Sequence, residues 1–251
     1  MSGMDEQLAE AIKAAVAAHF DARGAVCDYA ALAASAERAR LAACLAELEA
    51  FDVKRARIPA QMAFWINVFN AGVLRDAREL AGASSVRQVE AFFERTRLRV
   101  GAYWYSLDDI EHGLLRGNVA KPGRSRTPMQ RGDPRLDYMP IVFDERMHFA
   151  LHSACRSSPP LRAFDEGKLD RQLEEAATEY VRGGVRVESR GAVIVLPRLF
   201  RWFAEDFGGA SGIVEFAVAR IDDEAAVEAV DRRLGRVKLE YARFDWALNR
   251  K

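Results

Sequence analysis

Between Met62 and Leu74 the chain reads MAFWINVFNAGVL, apolar on almost every side of a helix and interrupted only by Asn67 and Asn70. A helix of that kind is buried over most of its surface, so the rest of the protein has to be built around it. Pro59 suits its first turn, where a missing N–H is harmless. Asn67 and Asn70 stand three residues apart and share one face. An amide in such surroundings needs hydrogen-bond partners, because leaving it unpaired costs about 1–3 kcal/mol. The two amides therefore either tie the helix to neighbouring backbone or line a polar cavity, where they would bind a substrate or an oxyanion.

The remaining pattern is mainly helical. Residues 5–20 and 35–51 carry Ala and Leu with charges at helical spacing, and Leu41, Cys44, Leu45 and Leu48 make a one-sided stripe. Residues 86–99 read as an amphipathic helix through Val89, Phe92 and Phe93, and 165–182 read as another. Ser106 is placed to cap a helix with Asp109 at its third position, a weak capping box. Residues 117–140, rich in Gly, Pro and Arg, form a long excursion of the kind that is often functional or mobile. From 145 the alternation of Met147, Phe149 and Leu151 with His148, Ala150 and His152 predicts a half-buried strand.

Further on, Val185, Val187, Val193 and Val195 flank Ser189-Arg190-Gly191 as a hairpin would. Pro197 opens a short aromatic helix that Gly208-Gly209 stops. Residues 213–234 read as mainly helical and VKLEYARFDW as a terminal strand. With no repeat and no linker, the expectation is one α+β domain over residues 1–251, predominantly helical with a small, mostly antiparallel sheet.

Composition removes whole classes of function. Lys+Arg and Asp+Glu each total 37, so no charge imbalance draws the chain to nucleic acid or an anionic membrane. The N-terminus lacks the basic and unbroken apolar regions of a signal peptide, and no stretch approaches the roughly 20 apolar residues that span a bilayer. Three cysteines without CxxC spacing argue against a disulfide framework or a structural zinc site. A cytoplasmic protein is expected.

Glu111 has Leu107, Leu114 and Leu115 at i−4, i+3 and i+4, which sets its carboxylate amid an apolar stripe. Burial raises a carboxyl pKa unless a guanidinium or a hydrogen-bond network holds the charge. Glu111 is either a structural ion pair, with Arg116 or Arg156 as partner, or an acid/base group or the orienter of a histidine. His112, at the edge of the stripe, is either a satisfied core residue or the base of a site. His148 and His152 share a face whether the segment is strand or helix. HxxxH spacing can bind a metal, but the acidic residue and third ligand of a zincin are missing, so neither metal nor cofactor is expected. In the following SACRSSPP turn, Ser153, Cys155, Ser157 and Ser158 are either nucleophiles or ordinary turn residues. On a strand Ser153 would point away from His148 and His152, which favours His112 as the base over the alternative, His148. Asp206 and Asp245, among aromatics, either cap helices and pair with Arg or orient a histidine.

Six segments, in order, resemble the domain of unknown function 547 family: AFWINVFNAGVL, YSLDDIEHGLLR, DERMHFALHSACRSSPPLR, the helix from Lys168, VIVLPRLFRWFAEDFG and YARFDWALN. The resemblance covers about residues 58–249, with 1–57 as a helical N-terminal extension. It places Asn67, Asn70, Glu111, His112, His148, Arg156, Asp206, Asp245 and Asn249 on signature positions and implies a shared polar site. Family members read close to HFALxCxxxxCPP, with cysteines where this chain has Ser153 and Ser158. If the family uses a thiolate with a histidine, as a papain- or transglutaminase-like protein would, this chain needs another nucleophile or has none, since a hydroxyl does not ionise near neutral pH. If those cysteines are a disulfide in exported members, their loss fits a cytoplasmic chain.

The expectation is a hydrolase or acyl/amide-transfer enzyme. Glu111, His112, His148, Ser153 and Cys155 would be catalytic, and Asn67, Asn70, Arg156, Ser158 and Asp206 would bind substrate. The alternative is a non-catalytic domain that binds a small molecule or a peptide. The enzyme expects Glu111, His112 and one of Ser153 or Cys155 to converge to about 3 Å around a cleft.

Overall fold

Helices α1 (Gly3–His19), α2 (Tyr29–Ala33), α3 (Ala36–Glu47) and α4 (Ile58–Arg75) begin the computed structural model, which describes residues 3–53, 58–140, 142–233 and 235–251. Every residue of α4 from Met62 to Leu74 is buried, as its unbroken apolar surface requires. Helices α1 and α3 pack on it and on each other, and α3 buries Leu41, Cys44 and Leu45. Ser35 caps α3 by accepting a hydrogen bond from Arg38 N at 3.1 Å.

Downstream of α5 (Ala77–Ala81), the expected helix over 86–99 shrinks to α6 (Phe92–Arg95). The chain then turns into strand β1 (Arg97–Val100), which pairs antiparallel with β2 (Tyr103–Ser106), Arg97 opposite Ser106 and Val100 opposite Tyr103. The helical fit through Val89, Phe92 and Phe93 covers barely a turn. Beyond it, Leu98 and Val100 are buried while Arg97 is exposed and Arg99 is half-buried, and this period of two prevails. The strand expected from 145 to 152 is likewise absent: Glu145–Phe149 is a 3-10 turn, begun by Asp144 accepting from Arg146 N at 3.0 Å. Met147, His148, Phe149 and Ala150 are all buried, so the alternation there never marked a half-exposed surface.

The chain gathers into two units, residues 1–172 with 246–251, and residues 173–245. The second holds most of α7 (Leu169–Gly184) and a three-stranded sheet of β3 (Arg186–Glu188), β4 (Val193–Leu196) and β5 (Lys238–Tyr241) in that order. β3 and β4 form the expected antiparallel hairpin, and β4 pairs parallel with β5. The aromatic segment after Pro197 is α8 (Arg198–Trp202) followed by a 3-10 turn, ended by Gly208 at φ 77. Where residues 213–234 were expected to be mainly helical there are two helices, α9 (Gly209–Val218) and α10 (Glu224–Asp231), and Leu234 lies outside the described residues. The result is a predominantly helical α+β protein.

The hairpin turn is held by Gly191, at φ 84, where an added Cβ would meet the Ala229 carbonyl carbon and oxygen at 2.3 Å. Gly191→Ala is expected to cost about 2 kcal/mol or more in urea denaturation followed by circular dichroism. Gly183→Ala, where a Cβ meets nothing within 4 Å, is expected to stay within about 1 kcal/mol of the parent.

Candidate functional site

The two amides of α4 reach across to one stretch of backbone. Asn67 Nδ2 donates to Phe164 O at 2.7 Å, and Phe164 N donates back to Asn67 Oδ1 at 2.9 Å. Asn70 Nδ2 donates to Ala150 O at 2.9 Å and Arg162 O at 3.3 Å, while its Oδ1 accepts from His152 N at 3.0 Å. Both side chains are buried, and their hydrogen bonds go to the irregular 150–164 segment.

Within that segment His152 is the electrostatic centre. Its Nδ1 donates to Pro159 O at 2.8 Å, and its Nε2 accepts from Asn249 Nδ2 at 3.3 Å. Asn249 also donates to Ala25 O at 2.7 Å and accepts from the Tyr29 hydroxyl at 2.7 Å. Burial pulls the His152 pKa down to about 4, against a smaller upward pull from the Pro159 carbonyl, so the ring is neutral at pH 7. Burial also pushes the neighbouring Cys27 thiol up to about 12. Tyr29 carried no sequence signal of this role. Asn249 was marked only by its place in YARFDWALN.

The turn after His152 brings three candidate nucleophiles together. Ser153 Oγ lies 3.3 Å from Ser158 Oγ and 3.8 Å from Cys155 Sγ, and Ser153 N donates to Ser158 Oγ at 2.7 Å. Ser158 Oγ is 3.3 Å from His152 Nδ1, but that nitrogen's proton is committed to Pro159. Ala154, between Ser153 and Cys155, has a left-handed φ of 57. Ser153 and Ser158 are partly exposed, whereas Cys155 is buried. Among the described residues the hydrogen-bond partners of Ser153 are Ser158 and Cys155, so the histidine expected as its base is not one of them.

Glu111 and His112 stand on a different element. The expected capping box is present, with Ser106 N donating to Asp109 Oδ2 at 2.9 Å and Asp109 N to Ser106 Oγ at 3.0 Å. The helix it starts is π-helical over Asp109–Leu115, as the Arg116 N to Glu111 O bond of 3.0 Å shows. This wider turn displaces Glu111 from the centre of the leucine stripe. Leu107, Leu114 and Leu115 are buried, while the Glu111 side chain keeps 18% of its exposure. Arg116 Nη1 donates to His112 Nδ1 at 3.2 Å, and Glu111 Oε1 is 3.9 Å from the same nitrogen. His148 is buried in its 3-10 turn, and the exposed Arg156 donates from its backbone N to Ala247 O at 2.9 Å. Asp206 and Asp245 belong to the second unit.

Residues 53–181 match the family model described as a protein of unknown function, DUF547. The chain belongs to the DUF547 family. No curated protein and no solved structure matches it. The DUF547 match holds Asn67, Asn70, Glu111, His112, His148 and the whole 153–158 turn, and it ends before Asp206, Asp245 and Asn249. Asn249 nevertheless belongs to the same unit as the matched site through its bonds to His152 and Tyr29. Among the described residues of this DUF547 chain, no group of three or more His, Cys, Asp or Glu side chains could hold a metal ion, and no helix is long and apolar enough to cross a membrane. Both ring nitrogens of His152 are engaged, so it has no lone pair left for a metal.

The His152 environment sets a pH dependence. Its folded pKa, about 4, lies below the ordinary 6.5, so the native state resists protonation that the unfolded chain accepts. The stabilisation is complete above pH 6.5 and is lost as pH falls through 4, amounting to about 3 kcal/mol. His152→Gln is expected to be less stable at pH 7 and to lack this part of the slope. Unfolding curves of parent and variant that stay parallel across that range would contradict it.

Proposed function

We propose that this DUF547 chain acts by binding a small molecule or peptide rather than by nucleophilic catalysis. The observation that supports this is the state of the 153–158 turn. A serine nucleophile needs an adjacent base to take its proton. Here the Ser153 hydroxyl faces Ser158 at 3.3 Å, and the nearest imidazole nitrogen to Ser158 already spends its proton on Pro159. The π-helical turn sets the Glu111 carboxylate, which keeps 18% of its exposure, beside the buried His112 and Arg116, and this polar cluster supports ligand contact through Glu111. Three buried cysteines with no disulfide among the described residues are in keeping with a reducing, cytoplasmic location.

A second reading is favoured by two local distortions, the left-handed Ala154 and the π-helical turn, since such features cluster at active sites. In it the chain is a hydrolase or acyl/amide-transfer enzyme of the papain- or transglutaminase-like kind. His112 is the base, Glu111 orients it, and Ser153 or Cys155 attacks. His148, Asn67, Asn70, Arg156 and Ser158 complete the site.

Labelling of native protein with a fluorophosphonate and with iodoacetamide, mapped by mass spectrometry, separates the two. Binding without catalysis predicts no stoichiometric adduct at Ser153, Cys155 or Ser158. An adduct at one of them that disappears in His112→Ala would overturn that reading in favour of the enzyme.

A further inference from the structure

The excursion over residues 117–140 is anchored at both roots and presents its tip to solvent. At the first root Asn118, at φ 61, donates from Nδ2 to Met129 O at 2.9 Å and accepts from Met129 N at 3.1 Å, closing a loop around residues 119–128. Met129 is buried, and its Cε lies 2.8 Å from where a Cβ on Gly113 would sit, so the methionine packs against the bare glycine of the π-helical turn. Val119 N donates to His112 O at 3.0 Å. At the second root Arg135 donates to Asp109 Oδ2 and to Trp104 O, each at 3.1 Å.

What this fixed loop displays is unusual for the molecule. Arg124, Arg126 and Arg131 are exposed, and no carboxylate pairs with them among the described residues. All of the large hydrophobic side chains exposed among the described residues lie on or beside the excursion: Trp104 at 52%, Val119 at 44%, Val142 at 54% and Phe143 at 41%. Arginine with exposed tryptophan is the composition of protein–protein hot spots. Exposed apolar side chains grouped this way mark an interaction site. Three arginines are fewer than the roughly 4–8 clustered basic side chains that mark anionic-lipid recognition, so their combination with exposed tryptophan points to a protein.

We propose that the 117–140 excursion is the docking surface for a partner protein, engaged through an acidic segment that also carries apolar side chains. The guanidinium groups supply charge complementarity and register, and the tryptophan and its apolar neighbours supply the buried contact. This deepens the binding reading above and rests on it for its purpose. Its test involves no labelling of the 153–158 turn, so the two fail separately.

Fluorescence anisotropy with a labelled peptide alternating Glu and Leu, its Gln–Leu counterpart, and phosphatidylserine vesicles decides the matter on the full chain. The Glu–Leu peptide is expected to bind about tenfold or more tightly than the Gln–Leu peptide. The triple change Arg124→Ala, Arg126→Ala, Arg131→Ala and the single change Trp104→Ala are each expected to weaken it about tenfold. Arg23→Ala, an exposed arginine elsewhere, should leave it unchanged, and unaltered circular dichroism confirms that the variants fold. Failure of the Glu–Leu peptide to bind, equal binding of both peptides, indifference to the variants, or binding to vesicles in place of peptide would each overturn the proposal.

Discussion

Residues 150–164 run through the interior without belonging to a sheet or a regular helix, and every buried N–H and C=O in them needs a partner. Part of that requirement is met within the segment, by Ser158 and His152, and much of it from outside. Asn67 and Asn70 supply amides from α4, as a neighbouring strand would. The end of the chain supplies others, with Asn249 N donating to Ala154 O at 3.4 Å and Arg156 N to Ala247 O at 2.9 Å, and Leu161 N donates to Gly24 O at 2.8 Å. Asn249 then uses its own side chain to hold His152. Side-chain amides doing the work of a β-ladder explain why a helix buried from Met62 to Leu74 contains two asparagines.

The same network bears on chemistry. Because His152 is bonded at both nitrogens and held neutral, it orders the turn rather than moving protons. Ser153 and Ser158, where the family resemblance expects cysteines, satisfy one another in the space that thiols would share. The Glu111–His112–Arg116 turn stands apart, on an element whose π-helical winding and Met129 plug connect it to the arginine-bearing excursion. The hydroxyl turn and the polar turn thus belong to different elements of the chain.

Much of this was legible in the sequence where one local rule dominated. An all-apolar run announced α4, Ser106 with Asp109 announced a helix start, and valines about Arg190-Gly191 announced a hairpin. Other features escaped because the rule assumed a geometry the chain does not adopt. The helical wheel centred Glu111 among leucines only for an α-helix, and the π-helical turn moves it outward. Alternation from Met147 to His152 looked like a strand because nothing local signals that both sides are buried. The strand reading favours His112 as the partner of Ser153, whereas His152 is the imidazole beside Ser158, fixed by Asn249 nearly a hundred positions away. No periodicity encodes such a contact.

Amide hydrogen exchange at His152 and Phe164, measured residue by residue by NMR, tests the asparagine clamps directly. These two N–H groups are expected to be strongly protected in the parent. Asn70→Ala should release His152 selectively, and Asn67→Ala should release Phe164. Rapid exchange at both amides in the parent, or protection that survives the loss of the corresponding asparagine, would contradict the account.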